Sequence, residues 1–278
     1  IMAGDQPVKI SYRDCNQIAG ACSINSSVAD MAQWLRFQLN DGRIGDQVII
    51  PERTLNETRR FHNTLSRDYE AIIEQFGFKG QFHGYGLGVF IHESGGYAVY
   101  QHGGRIPGMI SSLLFVPELN LGIVVLSNLD VFYAHSVTSW ILDRYMGAEE
   151  INWSDSLLKG MNAGKATEKE KIEVLKKNAL ANTNPSLPLA HYAGTYNNKL
   201  VGDLVITVED TRLAYRLAEV GEGLLTHLHF DTFVGSLTIP PRKAEREGPV
   251  QFNLNIEGTV KSIIMNFNEM PLVYIRTH

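Results

Sequence analysis

The sequence predicts an α+β fold in two parts, a mixed segment of helices and antiparallel strands followed by a small all-β, barrel-like domain. Three observations carry this. Tyr97–Asn128 holds three runs dense in Val, Ile, Leu and Tyr (Tyr97–Gln101, Ser111–Val116 and Leu121–Leu126), each bounded by turn formers. Apolar residues at helical spacing flank that meander on both sides, over Val28–Asn40 and Val131–Tyr145. From Leu189 onward, seven or eight short alternating runs follow at near-regular intervals. The 278 residues suffice for one large domain or two modest ones with real cores.

Ile1–Ile18 is polar and irregular and reads as an extended lead-in, followed by the small-residue stretch Ala19–Ser23. Ser27 is placed as an N-cap with Asp30 in the first turn. Met31, Trp34, Leu35 and Leu39 then recur at helical spacing until Gly42. Val48–Ile50 fits a short strand and Pro51–Arg60 a helix opened by its proline. His62–His83 is a polar connection without a readable period. The first meander run ends in His102-Gly103-Gly104. Two glycines beside a histidine at a strand end let another backbone or a ligand come close. A reactive-site wall and a plain tight turn both use that arrangement. Val131–Tyr145 is predicted to present Val137, Trp140, Ile141 and Tyr145 on one face and to stop at Gly147.

Glu149–Pro188 reads as a linker. Within it Thr167-Glu168-Lys169-Glu170 resembles a capping box opening a charged helix, Glu168–Lys177. That helix reads as a solvated face rather than a docking site. The predicted strands beyond it are Leu200–Val208, Arg212–Leu217, Leu224–Phe230, Thr232–Ile239, Val250–Ile256, Val260–Phe267 and Pro271–Arg276, with Lys243–Glu247 as an exposed hairpin loop.

Net charge is −5 with no long basic block, which argues against nucleic acid as a partner. No apolar run approaches the roughly 18 residues of a membrane span. The opening Ile1-Met2-Ala3-Gly4-Asp5 has neither the basic nor the apolar region of a signal peptide. Cys15 and Cys22 could bridge a short loop or remain thiols, which leaves the compartment open.

Several phrases, taken in order, carry a family resemblance: Tyr85-Gly86-Leu87-Gly88-Val89, His102-Gly103-Gly104, Pro107-Gly108, Phe115-Val116-Pro117-Glu118 and Leu126-Ser127-Asn128. Together they resemble the serine β-lactamase and penicillin-binding-protein superfamily, and within it the class C-like branch of esterases and D-amino-acid-specific peptidases. His102-Gly103-Gly104 matches the His-x-Gly form of that family's third active-site motif. Downstream, His191-Tyr192-Ala193-Gly194-Thr195-Tyr196, Asp231-Thr232-Phe233 and the turn Asn255–Val260 resemble a lipocalin-like accessory domain. The resemblance divides the chain into a partial β-lactamase/transpeptidase-like domain (residues 1–148), a linker (149–188) and an accessory barrel (189–278).

It also implies roles. His102 would orient a substrate carboxylate or assist proton transfer, and the backbone N–H of Arg105 would be an oxyanion-hole donor. Gly103 and Gly104 would keep the strand open to substrate. Without the resemblance, His102 reads as capping a hairpin. The implied substrate is a small molecule or peptide, with no cofactor and no metal, and the implied location is extracytoplasmic.

Such enzymes need a Ser-x-x-Lys pair, three residues apart so that the amine reaches the hydroxyl from one helix face. The single instance here, Ser156-Leu157-Leu158-Lys159, lies in the linker, after the third motif instead of before it. Tyr196-Asn197-Asn198 and Ser23-Ile24-Asn25 imitate the second motif in equally unsuitable places. The chain therefore reads as the C-terminal part of a longer hydrolase, or as a binding module derived from one. Strands supplied from elsewhere would complete the sheet, so self-association through an exposed edge is expected. His227, His229 and Asp231 alternate as metal ligands on a strand can, but a half-exposed strand yields that pattern without a metal.

Overall fold

Tight turns set the main sheet. The computed structural model describes residues 2–3, 6–12, 19–66, 74, 82–129, 131–217, 221–238, 245–267 and 271–277, and the chain divides into the units Ile1–Ala163 and Gly164–His278. In the first unit a small hairpin, β1 (Met2–Ala3) with β2 (Gln6–Pro7), stands where an extended lead-in is predicted. Helices α1 (Ala19–Cys22) and α2 (Val28–Leu39) follow, and Ser27 caps α2 by accepting the Asp30 N–H. A second hairpin, β3 (Arg43–Ile44) with β4 (Gln47–Val48), precedes α3 (Glu52–Thr58), which Pro51 opens.

Six antiparallel strands then form one sheet: β5 (Asn63–Thr64), β6 (His83–Tyr85), β7 (Phe90–Ser94), β8 (Tyr97–Ile106), β9 (Met109–Val116) and β10 (Leu121–Ser127). Each strand pairs with its neighbour in sequence, so β5 and β10 are the edges. Gly95-Gly96 links β7 to β8. Pro107 with Gly108 (φ 84°) links β8 to β9, the positions a proline and a left-handed glycine take in a type II turn. Asn120 (φ 47°) ends the turn before β10.

Helices α2 and α4 (Tyr133–Met146) lie against β9 and β10, over a core of Val99, Leu114, Val116, Leu121, Ile123 and Leu142. The buried face of α4 differs from the predicted one. Trp140 and Tyr145 are exposed, and Ala134, Ser136, Thr138, Ser139 and Leu142 are buried instead. Small residues let a helix settle close on a sheet, whereas the bulky stripe would hold it off.

Arg59 ties three elements of this unit together. Its guanidinium donates to the Gln38 carbonyl and side chain, stands 3.8 Å from Asp41, and lies over the rings of Phe115 (5.1 Å) and Tyr100 (5.8 Å). Burial pulls its pKa below the usual arginine range, opposed by Tyr100 and Asp41.

Helix α5 (Trp153–Lys177) starts well before the predicted charged helix. Asn152 accepts the Asp155 N–H and donates to its carboxylate, a reciprocal cap. Thr167–Glu170 therefore lies inside a helix, where its capping pattern has no terminus to serve.

The second unit ends in a closed eight-stranded antiparallel barrel. Its strands are β11 (Gly194–Asn198), β12 (Gly202–Glu209), β13 (Arg212–Leu217), β14 (Gly221–His229), β15 (Thr232–Thr238), β16 (Glu245–Leu254), β17 (Val260–Met265) and β18 (Leu272–Arg276). Tyr196 lies in the middle of β11, a strand absent from the predicted set, and Glu245–Glu247 belongs to β16 where a loop is predicted. Lys243, Ala244 and Cys15 lie outside the described residues. The interior is filled by the chain's own side chains. Phe252 packs edge-on against Tyr192 (4.9 Å) and Phe233 (5.4 Å), among Leu204, Ile206 and Ile263. Eight strands enclose about that much room. Where β14 meets β15, a Cβ on Gly223 would stand 1.6 Å from the Ser236 carbonyl oxygen, so no larger residue fits.

Asp231 fastens the connector before the barrel. Its carboxylate accepts the Ser186 N–H (2.9 Å), the Ser186 hydroxyl (2.8 Å) and the Tyr192 hydroxyl. Burial alone would raise its pKa, yet the bonds from Tyr192 and Ser186 hold it below the usual carboxylate range. Asp231→Ala is expected to destabilise the second unit by about 2 kcal/mol, read as a lower urea midpoint of its unfolding. An unchanged midpoint would show that the connector is held by other means.

In the sheet, His92 faces His83 across β6 and β7 and is 1% exposed. Burial, with His83 adding to it, pushes its pKa down to about 3 from 6.5. A depressed histidine contributes stability above its unfolded pKa and loses it as pH falls from about 6.5 toward 3. His92→Leu is expected to flatten the first unit's stability over that window, followed by chemical denaturation at stepped pH. A slope identical to wild type would mean that other groups carry the acid sensitivity.

Candidate active site

His102, Gly103 and Gly104 do not end a strand. Strand β8 runs unbroken through His102, Gly103, Gly104 and Arg105 to Ile106, pairing them with Leu113, Ser112, Ser111, Ile110 and Met109 of β9. The reading of His102-Gly103-Gly104 as a strand end is thus corrected: the turn comes at Pro107-Gly108. Strand β7 pairs with β8 only over Tyr97–Gln101, so β8 continues past its neighbour.

Antiparallel ladders alternate hydrogen-bonded and non-bonded pairs. The closing pairs Ser94↔Tyr97 and Ile106↔Met109 fix the phase from both sides. Odd-numbered residues of β8 turn their N–H and C=O toward the β7 side, and even-numbered ones bond to β9. The backbone N–H of Arg105 therefore faces away from β9, on the side of the strand where the Gly103 carbonyl meets the His102 ring.

His102 is exposed and held at both ring nitrogens. Nδ1 lies 2.6 Å from the Gly103 carbonyl oxygen and Nε2 lies 3.2 Å from the Tyr85 hydroxyl. Phe90 stacks on the ring at 5.5 Å with planes 25° apart, and Tyr85 meets Phe90 edge-on at 4.7 Å. Tyr85 and Phe90 are cross-strand partners of β6 and β7, so a hairpin positions both beside the imidazole.

The glycines have a packing reason. A Cβ on Gly103 would stand 2.8 Å from the Ser111 carbonyl oxygen and 3.1 Å from Cε1 of His135, and one on Gly104 would stand 2.8 Å from Ser111 Oγ. Neighbouring protein, not an open edge, takes the room a side chain would need. His135 comes from the first turn of α4, and burial pushes it down to about 4, which keeps it neutral. The Arg105 guanidinium lies 5.1 Å over the ring of Phe132, and burial draws it below the usual arginine range.

The look-alikes of the first two motifs sit in ordinary structural surroundings. Ser156 and Lys159 are exposed on α5 with no hydrogen bond between them among the described residues. Tyr196 is buried in the barrel and donates to the Tyr192 carbonyl (2.7 Å), and Asn198 is engaged by Val273, Leu200 and Val201. Asn25 accepts from the Tyr12 hydroxyl (2.6 Å) in a loop. A bulge between His227 and His229 breaks the alternation that suggested metal ligands. His227 Nε2 is taken up by the Phe230 carbonyl, and Asp231 by Ser186 and Tyr192.

Sequence reading missed Tyr85, Phe90 and His135 as neighbours of the motif. Tyr85 stands in a phrase already singled out, but the hairpin that carries it to His102 has strands too short to show a period. His135 lies inside a predicted helix without any mark of its orientation.

The family profile described as "Beta-lactamase" matches residues 2–144. Residues 178–273 match a profile described as "Domain of unknown function (DUF3471)". None of the curated proteins matches the chain. Among solved structures, the octameric penicillin-binding protein homologue from Pyrococcus abyssi is 15% identical over 89% of this chain and 46% of its own, with a TM-score of 0.38. A structure of SurE with D-Leu is 18% identical over 90% and 50%, with a TM-score of 0.33. The C-terminal domain of a penicillin-binding protein is 25% identical over 36% of this chain and 95% of its own, with a TM-score of 0.30. The chain spans about half the length of the first two. With that profile covering more than half of its residues, and a closed barrel following, this chain belongs to the beta-lactamase family.

Proposed function

We propose that the chain supplies one wall of the cleft of an acyl-serine hydrolase acting on a D-amino-acid peptide, a β-lactam or a small ester. The observation that carries this is the stretch of β8 past β7, which presents an exposed, doubly hydrogen-bonded imidazole at His102 and directs the Arg105 N–H to the side away from β9. In this reading the Arg105 N–H stabilises the oxyanion, and His102 orients the substrate carboxylate or assists proton transfer. Substrate lies along the backbone of Gly103 and Gly104, whose Cβ directions are already filled by Ser111 and His135. No cofactor is needed. The Ser-x-x-Lys nucleophile pair is assigned to sequence outside these residues, and the location to an extracytoplasmic compartment. No helix among the described residues is long and apolar enough to cross a membrane.

Labelling with a fluorescent penicillin and a fluorophosphonate tests the reading. The full-length gene product is expected to react at an upstream serine and this chain alone is not. His102→Ala in the full-length protein is expected to slow acylation about 100-fold. Labelling of this chain by itself would overturn the assignment and return attention to Ser156.

A second reading, a partner-binding module, is favoured by the outer edge of β10. The alternation that pairs Leu121, Ile123, Val125 and Ser127 with β9 turns the backbone of Gly122, Val124 and Leu126 outward. The seven-residue strand has no charge, proline or bulge to blunt that edge. Its sequence is also compatible with itself: an antiparallel copy centred on Val124 would set Leu121 against Ser127 and Gly122 against Leu126, with no opposed charges. The occupant in this reading is a second copy of the chain. Light scattering is expected to show dimers that Leu126→Lys dissolves, and a strictly monomeric wild type would exclude this reading.

A further inference from the structure

We infer that Tyr85 is a positioning residue for His102: its hydroxyl holds the Nε2 end of a ring whose tautomer the Gly103 carbonyl sets. A carbonyl oxygen can only accept, so at 2.6 Å His102 Nδ1 donates to Gly103. In the neutral ring the proton is then on Nδ1, and Nε2 carries a lone pair. The Tyr85 hydroxyl, 3.2 Å away, satisfies that lone pair by donating to it. The two bonds approach the ring from opposite ends, one from its own strand and one from β6, two strands away. Phe90 of β7, between them, stacks on the ring face and closes the remaining freedom.

This geometry couples two groups. When the imidazole is neutral, Tyr85 points its proton inward at Nε2. When the ring takes up a proton, both nitrogens become donors, so the Tyr85 oxygen must accept, and its own proton turns outward. One proton gained at His102 thus reverses the polarity of one hydroxyl on the β6 side. In either charge state the same hydroxyl meets Nε2, as donor or as acceptor, so Tyr85 holds that end of the ring without choosing its tautomer.

The inference concerns ring geometry, and only its catalytic consequence rests on the reading of His102 as the third-motif residue. Nitrogen-15 NMR of the histidines in this chain tests it directly. Wild type is expected to show His102 as the Nδ1–H tautomer in its neutral form. Tyr85→Phe is expected to keep that tautomer and to move the Nε2 resonance toward that of a lone pair without a donor, with the His92 and His135 signals unmoved as the sign of an intact fold. Phe90→Leu keeps the hydroxyl and is expected to keep the Nε2 resonance in place. An Nε2 resonance unmoved by Tyr85→Phe would overturn the proposal, as would equal shifts in both variants, since ring packing and not the hydroxyl would then be the determinant. In the full-length gene product, Tyr85→Phe is expected to slow acylation about 10- to 100-fold with little change in substrate binding. A shifted Nε2 resonance with unchanged acylation would uphold Tyr85 as the positioning group and remove His102 from the mechanism.

Discussion

The phase of one antiparallel ladder governs what this protein can present to a ligand. Two tight hairpins, Gly95-Gly96 and Pro107-Gly108, set it from opposite ends of β8, and they agree. Because they agree, every odd residue of the strand turns its peptide group to one side, and the sides of Gly103 and Arg105 are decided before any side chain is considered. A ladder of the opposite phase would exchange the two sides and send the Arg105 N–H toward β9. Which peptide groups of β8 face away from β9 is thus decided by the turns, before residue identity enters.

Packing then makes the arrangement stiff. Gly103 has β9 on one side and the neutral ring of His135 on another, which leaves the strand little freedom to shift toward α4. Tyr85 and Phe90 hold the imidazole from the neighbouring hairpin. Farther away Arg59, held between Gln38 and two aromatic faces, joins the end of α2 to the sheet. A cation so placed is useful because its planar head stacks while its rim donates. The frame of the site is therefore polar at its joints and apolar between them.

Much of this was legible in the residues. The second and third strands of the meander, the turn ending at Asn120 and most barrel strands follow from β-branched runs between turn formers. What sequence could not resolve has definite physical causes. Two adjacent glycines read locally as a break, but a strand tolerates them when its partner lies close enough to fill the space, and that closeness is tertiary. A capping-box pattern at Thr167 is indistinguishable from a real one until the helix is seen to start at Trp153, capped by Asn152. Apolar size does not decide the buried face of α4, where small polar residues satisfied within the helix, such as Thr138 donating to the Ala134 carbonyl, pack closer. Tyr85 escaped as a site residue because its role depends on a register two strands removed.

The order of strands in the barrel has a consequence for how it assembles. Seven of its pairings join segments adjacent in the chain, and these zip locally at little entropic cost. The eighth, β11 with β18, joins the two ends, and its register covers only Tyr196↔Arg276 and Asn197↔Ile275. Side chains reinforce it: Arg276 donates to the carbonyls of His191 and Ala193, and Asn198 to that of Val273. This short seam is the natural last step of folding and the first place to part, so the barrel behaves as a curled ribbon fastened by a clasp whose key is one arginine.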